Sequence, residues 1–202
     1  MKVIEVTAQK GGVGTTTVAC SIALALGKKS PERVLLLDPS KNDDCTALLG
    51  LSVNTFRENE GHYGITVKGV TPNELKGMLS IGDYDFVVID AGMEMTRQYG
   101  FGFPDLRVQV VRNEYLSLRA ASIAFPMIPP DHMYDACVVL YQSANALTVR
   151  DVQTVLRNVP TTFPMSPSVA RSIDAGLYGS QDKHWGEWTT DFIETHLAEA
   201  MK

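Results

Sequence analysis

The stretch Gln9-Lys10-Gly11-Gly12-Val13-Gly14-Thr15-Thr16-Thr17 stands between an apolar run over residues 3–7 and a helix-like run over residues 16–26. Strand, glycine-rich turn and helix in that order make a phosphate loop. Glycines let successive backbone N–H groups turn inward, and the following helix offers its positive end, so the ligand such a turn suits is a polyphosphate. In the general pattern G-x-x-x-x-G-K-[ST], the lysine contacts the β- and γ-phosphates and the hydroxyl after it binds Mg²⁺. Here Thr16 keeps the hydroxyl, while Thr15 stands in the lysine's place without its charge. Losing an ammonium roughly 4 Å from a phosphate removes a few kcal/mol of attraction, roughly 100-fold in affinity. A fast nucleotide hydrolase of the ordinary kind is therefore not expected. Lys10, just before the glycines, is the cation left to reach these phosphates or those of a second copy of the chain.

Two apolar runs end in acids. Arg33-Val34-Leu35-Leu36-Leu37-Asp38 and Asp83-Tyr84-Asp85-Phe86-Val87-Val88-Ile89-Asp90 have the form of buried parallel strands whose carboxyl ends face a nucleotide. Asp90 is the best candidate for holding the Mg²⁺ shell, with Thr16 and Asp38 completing the metal set. Each feature has a plainer reading: a βα turn for the loop, a helix cap for Asp38, a solvated lysine for Lys10. Their combination favours the nucleotide site. Asp85 is read as a structural cap or ion-pair partner.

On these residues the chain resembles the ParA/MinD superfamily of P-loop ATPases, whose signature K-G-G-x-G-K-[ST] matches Lys10-Gly11-Gly12-Val13-Gly14 and departs at Thr15. The G-T-T-T sequence is similar to the CpaE/TadZ-like branch, as are Asn145-Ala146-Leu147-Thr148-Val149-Arg150-Asp151-Val152 and Pro167-Ser168-Val169-Ala170-Arg171-Ser172-Ile173-Asp174-Ala175-Gly176. The resemblance runs to about residue 178 and is weakest over residues 51–79. It implies ATP and Mg²⁺ as cofactors, held by Lys10, Gly11, Gly12, Val13, Gly14, Thr15, Thr16 and Thr17. It implies a homodimer in which Lys10 acts across the interface, and it places adenine near residues 142–145 and 164–166. In partition ATPases the second strand continues into D-x-D-P-Q, whose second aspartate orients the attacking water. That position here is Ser40, which cannot serve as a carboxylate base. No residue is assigned a catalytic role unless Lys10 acts in trans, and the activity expected is at most a slow ATPase.

The remaining sequence fits an α/β fold: a doubly wound, mostly parallel sheet with helices on both faces. Residues 108–111 and 137–141 read as further strands, residues 116–125 and 149–156 as helices. Residues 92–104, with Gly92, Gly100 and Gly102, read as a switch-like loop. At 202 residues and 45% hydrophobic, the chain is expected to form one domain over residues 1–202, with residues 179–202 appended as a loop and a helix. The helix is placed at residues 189–201, after an aromatic loop over residues 178–188. Its flanking Glu187, Asp191, Glu194 and Glu199 have the wrong sign for an anionic membrane, so packing on the domain or a partner is favoured.

There is no 18-residue apolar run and no leader, so a cytoplasmic protein without stable membrane insertion is expected. Cys20, Cys45 and Cys137 are isolated and read as reduced packing residues, and the four histidines form no zinc pattern. A net charge of −5 disfavours nonspecific DNA as the main partner, although Arg150, Arg157 and Arg171 lie in the C-terminal third. Three functions stay open: an ATP-dependent dimerisation and positioning switch acting on a protein partner or cargo, which is favoured; an active partition ATPase segregating DNA; and a nucleotide-free interaction dimer.

Overall fold

The computed structural model describes residues 1–51, 58–62, 64–80, 82–93, 104–124, 136–139, 146–156, 161–163, 167–175 and 183–197, and the account below concerns these. Eight strands form one sheet: β1 (Lys2–Ala8), β2 (Val34–Asp38), β3 (Glu58–His62), β4 (Ile65–Gly69), β5 (Phe86–Met93), β6 (Leu106–Val111), β7 (Ala136–Val139) and β8 (Thr161–Thr162). Their order is β3-β4-β2-β5-β1-β6-β7-β8. Every pairing is parallel except β3 with β4. Strand β1 lies inside the sheet with β5 on one side and β6 on the other, so chain order reverses beside it. The crevice beyond the carboxyl ends of the strands at such a reversal is where open α/β sheets bind ligands.

The expected doubly wound arrangement follows from strands that are apolar on both faces. Ile4, Val6, Leu36, Val88, Val108 and Val110 point into one core with α1 (Thr15–Lys29) and α7 (Lys183–Leu197). Leu35, Leu37, Val87 and Ile89 meet Leu75 of α3 (Pro72–Met78). Val111 meets α4 (Tyr115–Ala124) and α5 (Val149–Leu156) through Leu118, Ala121, Val152 and Leu156. The short α2 (Asp44–Leu48) and α6 (Pro167–Asp174) complete the set.

Helix α1 is buried nearly all round, from Thr17 to Gly27. Its Ala, Leu and Ile residues suit a helix enclosed between the sheet and α7. It ends where Lys28 and Lys29 meet the negative helix terminus. Across the first strands, Glu5 and Arg107 face each other in register, and their side chains pair at 2.8 Å while almost wholly buried.

Two sequence expectations are corrected. The strand expected over residues 83–90 starts at Phe86 and continues to Met93, because Asp85 is spent in a two-pronged pair with Arg33 (2.8 and 2.6 Å) before the strand begins. Asp90 therefore lies inside β5. The register of β1 with β5 also slips there, Val6 facing Asp90 and Thr7 facing Gly92, so Ala91 is an extra residue in a bulge. The C-terminal helix begins at Lys183, six residues before the expected start, and takes in Gly186 and Trp188 from the stretch read as a loop. Trp188 is held by Phe163 (ring centroids 6.1 Å apart), and this tertiary contact outweighs the poor local helix propensity of glycine. Residues 198–201 of the expected helix lie outside the described residues, as do residue 125 of the fourth helix and residues 140–141 of the seventh strand.

The face of α7 turned inward carries Phe192, Ile193 and Leu197, all buried against the same core as α1. Lys29 and Glu194 pair at 2.7 Å and fasten the end of α1 to α7. Among the described residues no helix is long and apolar enough to cross a membrane.

Candidate functional site

The loop after β1 enters α1 through Gly14, which sits at φ +102° as the residue preceding the helix and makes no side-chain cap. Gly12 is also left-handed, at φ +73°. A side chain is strained at either position, so glycine is required for the loop to fold back over the helix terminus. Without a side-chain cap, the first N–H groups of α1 remain directed outward, the arrangement that favours an anion. The loop, residues 11–17, forms one wall of a cavity of about 550 Å³, within the range of nucleotide-sized pockets. Gly92, Met93, Asp44, Arg112, Ala170 and Ile173 form the rest of its lining.

Thr16, Asp38 and Asp90 come together beneath this loop. The Thr16 hydroxyl donates to Asp90 Oδ2 at 2.6 Å, leaving its oxygen lone pairs for a cation. Asp38 is fully buried, and its two carboxylate oxygens accept the backbone N–H groups of Ser40 (2.8 Å) and Cys45 (2.7 Å). It thus pins the turn from β2 into α2, the capping role its sequence context allowed, while standing beside Asp90. The carboxylates of Asp38 and Asp90 and the Cys45 thiol lie within 4.8 Å of one another, all buried. Cys45 is therefore not simply a packing residue remote from any cluster: spacing along the chain concealed a neighbourhood that the fold creates. Its thiol donates to Asp90 Oδ2 at 3.7 Å. Cys20 is a buried free thiol, and the side chain of Cys137 lies outside the described set.

Burial pushes the Asp90 carboxyl up to about 6, helped by the nearby Asp38 charge and opposed by the Thr16 hydroxyl, the Gly92 backbone and the Cys45 thiol. Its Oδ1 is buried without a hydrogen-bond partner. Two crowded carboxylates with an orphaned oxygen form a site short of positive charge, which a hard divalent cation would supply. Mg²⁺ fits the oxygen donors; the soft thiol does not make a natural ligand for it.

Lys10 lies elsewhere. Its ammonium is 3.5 Å from Glu114 Oε1, both side chains being more than a third exposed, and Lys10 is not part of the described cavity lining. Ser40 carries no acid and instead accepts the Asp44 backbone N–H at 3.2 Å. Residues 94–103 of the expected switch-like loop, and the expected adenine positions at residues 142–145 and 164–166, lie outside the described residues. So does Arg157, whereas Arg150 and Arg171 are exposed.

Sequence reasoning missed Asp44 and Arg112 as lining residues. Asp44 was hidden among the acids of one turn; its carboxyl is pushed above the usual range by partial burial and by Asp38. Arg112 carries a readable signal: it is the first residue after β6, at the same edge of the sheet as the loop.

A strand, a glycine-rich loop and a helix, with buried acids from two neighbouring strand ends, define a P-loop nucleoside-triphosphatase fold. A family model described as an AAA domain matches residues 1–74. A curated relative from Emiliania huxleyi, named as a septum site-determining protein MinD, is 27% identical over 195 residues, covering 77% of this chain and 71% of its own. A chain of the MinC:MinD cell division protein complex from Aquifex aeolicus superposes with a TM-score of 0.78 at 20% identity, over 98% of this chain and 96% of that one. The septum site-determining protein MinD from Pyrococcus horikoshii, solved with Mg-ADP, gives a TM-score of 0.78 at 17% identity over 99% and 98%. The fold is that of the MinD/ParA P-loop NTPases.

Proposed function

We propose that the protein is an ATP-binding switch of the ParA/MinD kind, closest to the CpaE/TadZ-like branch, that dimerises on Mg²⁺–ATP and positions a protein partner, with slow or no hydrolysis. The observation that carries this reading is the meeting of Thr16, Asp38 and Asp90 under a loop that keeps its anion-binding backbone. The Mg-ADP bound by the Pyrococcus horikoshii protein supports the same cofactors here. In this reading residues 11–17 hold ATP and Lys10 reaches it from the second copy, Thr16 and Asp90 hold the Mg²⁺ shell, and Asp38 holds the adjoining turn and adds negative charge.

Weak turnover follows from Thr15 and Ser40, which remove one cation and one carboxylate from the reacting end of the nucleotide. A dimer is supported by exposed apolar residues near the loop: Met93, which lines the cavity, and Tyr115 and Leu116, which follow Glu114 in the chain, are each at least 60% exposed. Met93 Sδ lies 3.6 Å from where a side chain on Gly11 would begin, and Glu114 reaches Lys10, so these residues border the same loop. The Aquifex aeolicus complex of MinC with MinD supports a protein as the partner. The acidic net charge gives DNA less support.

Calorimetry of ATP with and without Mg²⁺, paired with phosphate release, tests the proposal. Mg²⁺-dependent binding with little release is the expected outcome; rapid release would establish a partition-type ATPase instead, and no binding a nucleotide-free dimer. Thr15→Lys is expected to tighten ATP binding roughly 100-fold, since it returns to the phosphates the ammonium that Thr15 lacks. Unchanged affinity would show that the loop does not engage them. Lys10→Ala is expected to leave ATP binding by the monomer nearly intact and to abolish ATP-dependent dimerisation, read by light scattering.

A further inference from the structure

The cavity has lost the usual loop cation, yet one of its walls supplies another. Arg112 is the one basic residue among the described residues that line it. It follows the last residue of β6, three positions beyond Gln109, which faces Thr7; three positions beyond Thr7 on β1 comes Lys10 at the start of the loop. The strand register thus delivers an arginine alongside the phosphate loop from the neighbouring strand.

That strand end is firmly held. The Arg112 N–H donates to the buried Ser117 Oγ at 3.0 Å. The next residue, Asn113, is tied to Leu147 twice: its carbonyl accepts the Leu147 N–H at 3.0 Å and its side-chain amide donates to the Leu147 carbonyl at 2.9 Å. A side chain launched from so constrained a backbone is aimed more reproducibly than one on a loose loop. Its guanidinium is always charged, and its planar fork suits two phosphate oxygens at once. Meanwhile Thr15 is neutral, and the Lys10 ammonium is turned toward Glu114.

We infer that Arg112 supplies, from β6, the phosphate-binding charge that Thr15 does not, making it an affinity-determining residue for the nucleoside triphosphate. The inference rests on the ATP-binding reading above and adds a residue to that site. Its consequence is a site in which the backbone at the head of α1 still cradles the polyphosphate while the cation comes from the side of the sheet, which retains binding but leaves the reacting end of the nucleotide without its usual cation.

The experiment is calorimetric titration of wild type, Arg112→Gln and Arg112→Lys with ATP and Mg²⁺ at low and high salt, with thermal unfolding of each as a check on folding. The expected result is roughly tenfold weaker ATP binding by Arg112→Gln, a shallower salt dependence, and largely restored affinity in Arg112→Lys. Adding Thr15→Lys to Arg112→Gln is expected to recover the lost affinity by returning a cation to the loop. If wild type binds Mg²⁺–ATP and Arg112→Gln binds it equally well with the same salt dependence, the role of Arg112 is overturned and the ATP-binding reading stands. An Arg112→Gln variant that loses affinity with an unchanged salt dependence, unrescued by either lysine, also overturns it, since the arginine then acts through shape. If wild type binds no ATP, the reading and the inference fall together.

Discussion

Asp90→Asn is expected to abolish Mg²⁺-dependent ATP binding and to leave the metal-free protein at least as stable as wild type. Both halves come from one geometry. Asp90 accepts the Thr16 hydroxyl at 2.6 Å, carries a buried oxygen with no partner, and lies with Asp38 inside a cluster 4.8 Å across. With a divalent cation present, the carboxylate is a required anion, and losing it is expected to weaken Mg²⁺–ATP at least 100-fold, about 2.7 kcal/mol. Without the cation, the same charge is a burden, because it is desolvated beside a like charge.

The burden has a measurable pH signature. The folded-state carboxyl titrates at about 6, above its ordinary value of 3.8, so between those values the native chain holds a proton that the unfolded chain has released. Stability from this group is therefore present at low pH and is lost as pH rises toward 6, at about 1.4 kcal/mol per unit. In chelator, the stability of wild type minus that of Asp90→Asn is expected to fall between pH 4 and 6 and to level off above. A flat difference, or Mg²⁺–ATP binding that survives the substitution, would remove Asp90 from the metal shell.

Phe192→Ala is expected to destabilise the fold by about 3–5 kcal/mol, lowering the thermal midpoint by roughly 10 °C for a chain of this size. Phe192 is buried between the sheet-facing core and α7, its ring 5.8 Å from Phe163 and 4.6 Å from His196. The substitution empties a space next to α1, the helix that carries the phosphate loop, and that region has few ways to collapse. It also decides what α7 is for. Its apolar stripe of Phe192, Ile193 and Leu197 is committed to α1, and Glu187, Asp191 and Glu194 face outward. A large loss of stability with no change in vesicle association fits a docked helix. A stable variant with altered vesicle binding would identify a membrane helix.

Local patterns in the sequence were strong where a segment is buried on both sides. The runs Val34-Leu35-Leu36-Leu37 and Phe86-Val87-Val88-Ile89 can be little else than inner parallel strands, and the glycines at 12 and 14 announce a turn that only left-handed backbone can make. The loop, Thr16, Asp38 and Asp90 were visible for that reason. The region of residues 51–79 was opaque because β3, Glu-Asn-Glu-Gly-His, is a polar strand at the sheet margin with no apolar alternation.

Even so, a start signal sat there unread: Thr71 and Glu74 form a reciprocal capping box around Pro72 at the head of α3. The early start of α7 was hidden because Trp188 and Gly186 suggest a loop until Phe163 is brought beside them. The approach of Cys45 to two carboxylates is a product of the turn that Asp38 pins between β2 and α2, and the arrival of Arg112 at the cavity one of strand register; residue spacing encodes neither.

The extra residue at Ala91 gives the carboxyl end of β5 a mechanical character of its own. Below it, Val87, Val88 and Ile89 are locked between two parallel neighbours; above it, Gly92 is left-handed and Met93 stands at the cavity rim. Such an irregularity bends the strand and re-aims its tip, while pairing to β1 resumes at Gly92 and Met93. Amide exchange should therefore slow on nucleotide addition at Gly92 and Met93 and stay unchanged at the three residues beneath. The protein would then signal occupancy by bending one strand tip, with no rearrangement of its interior.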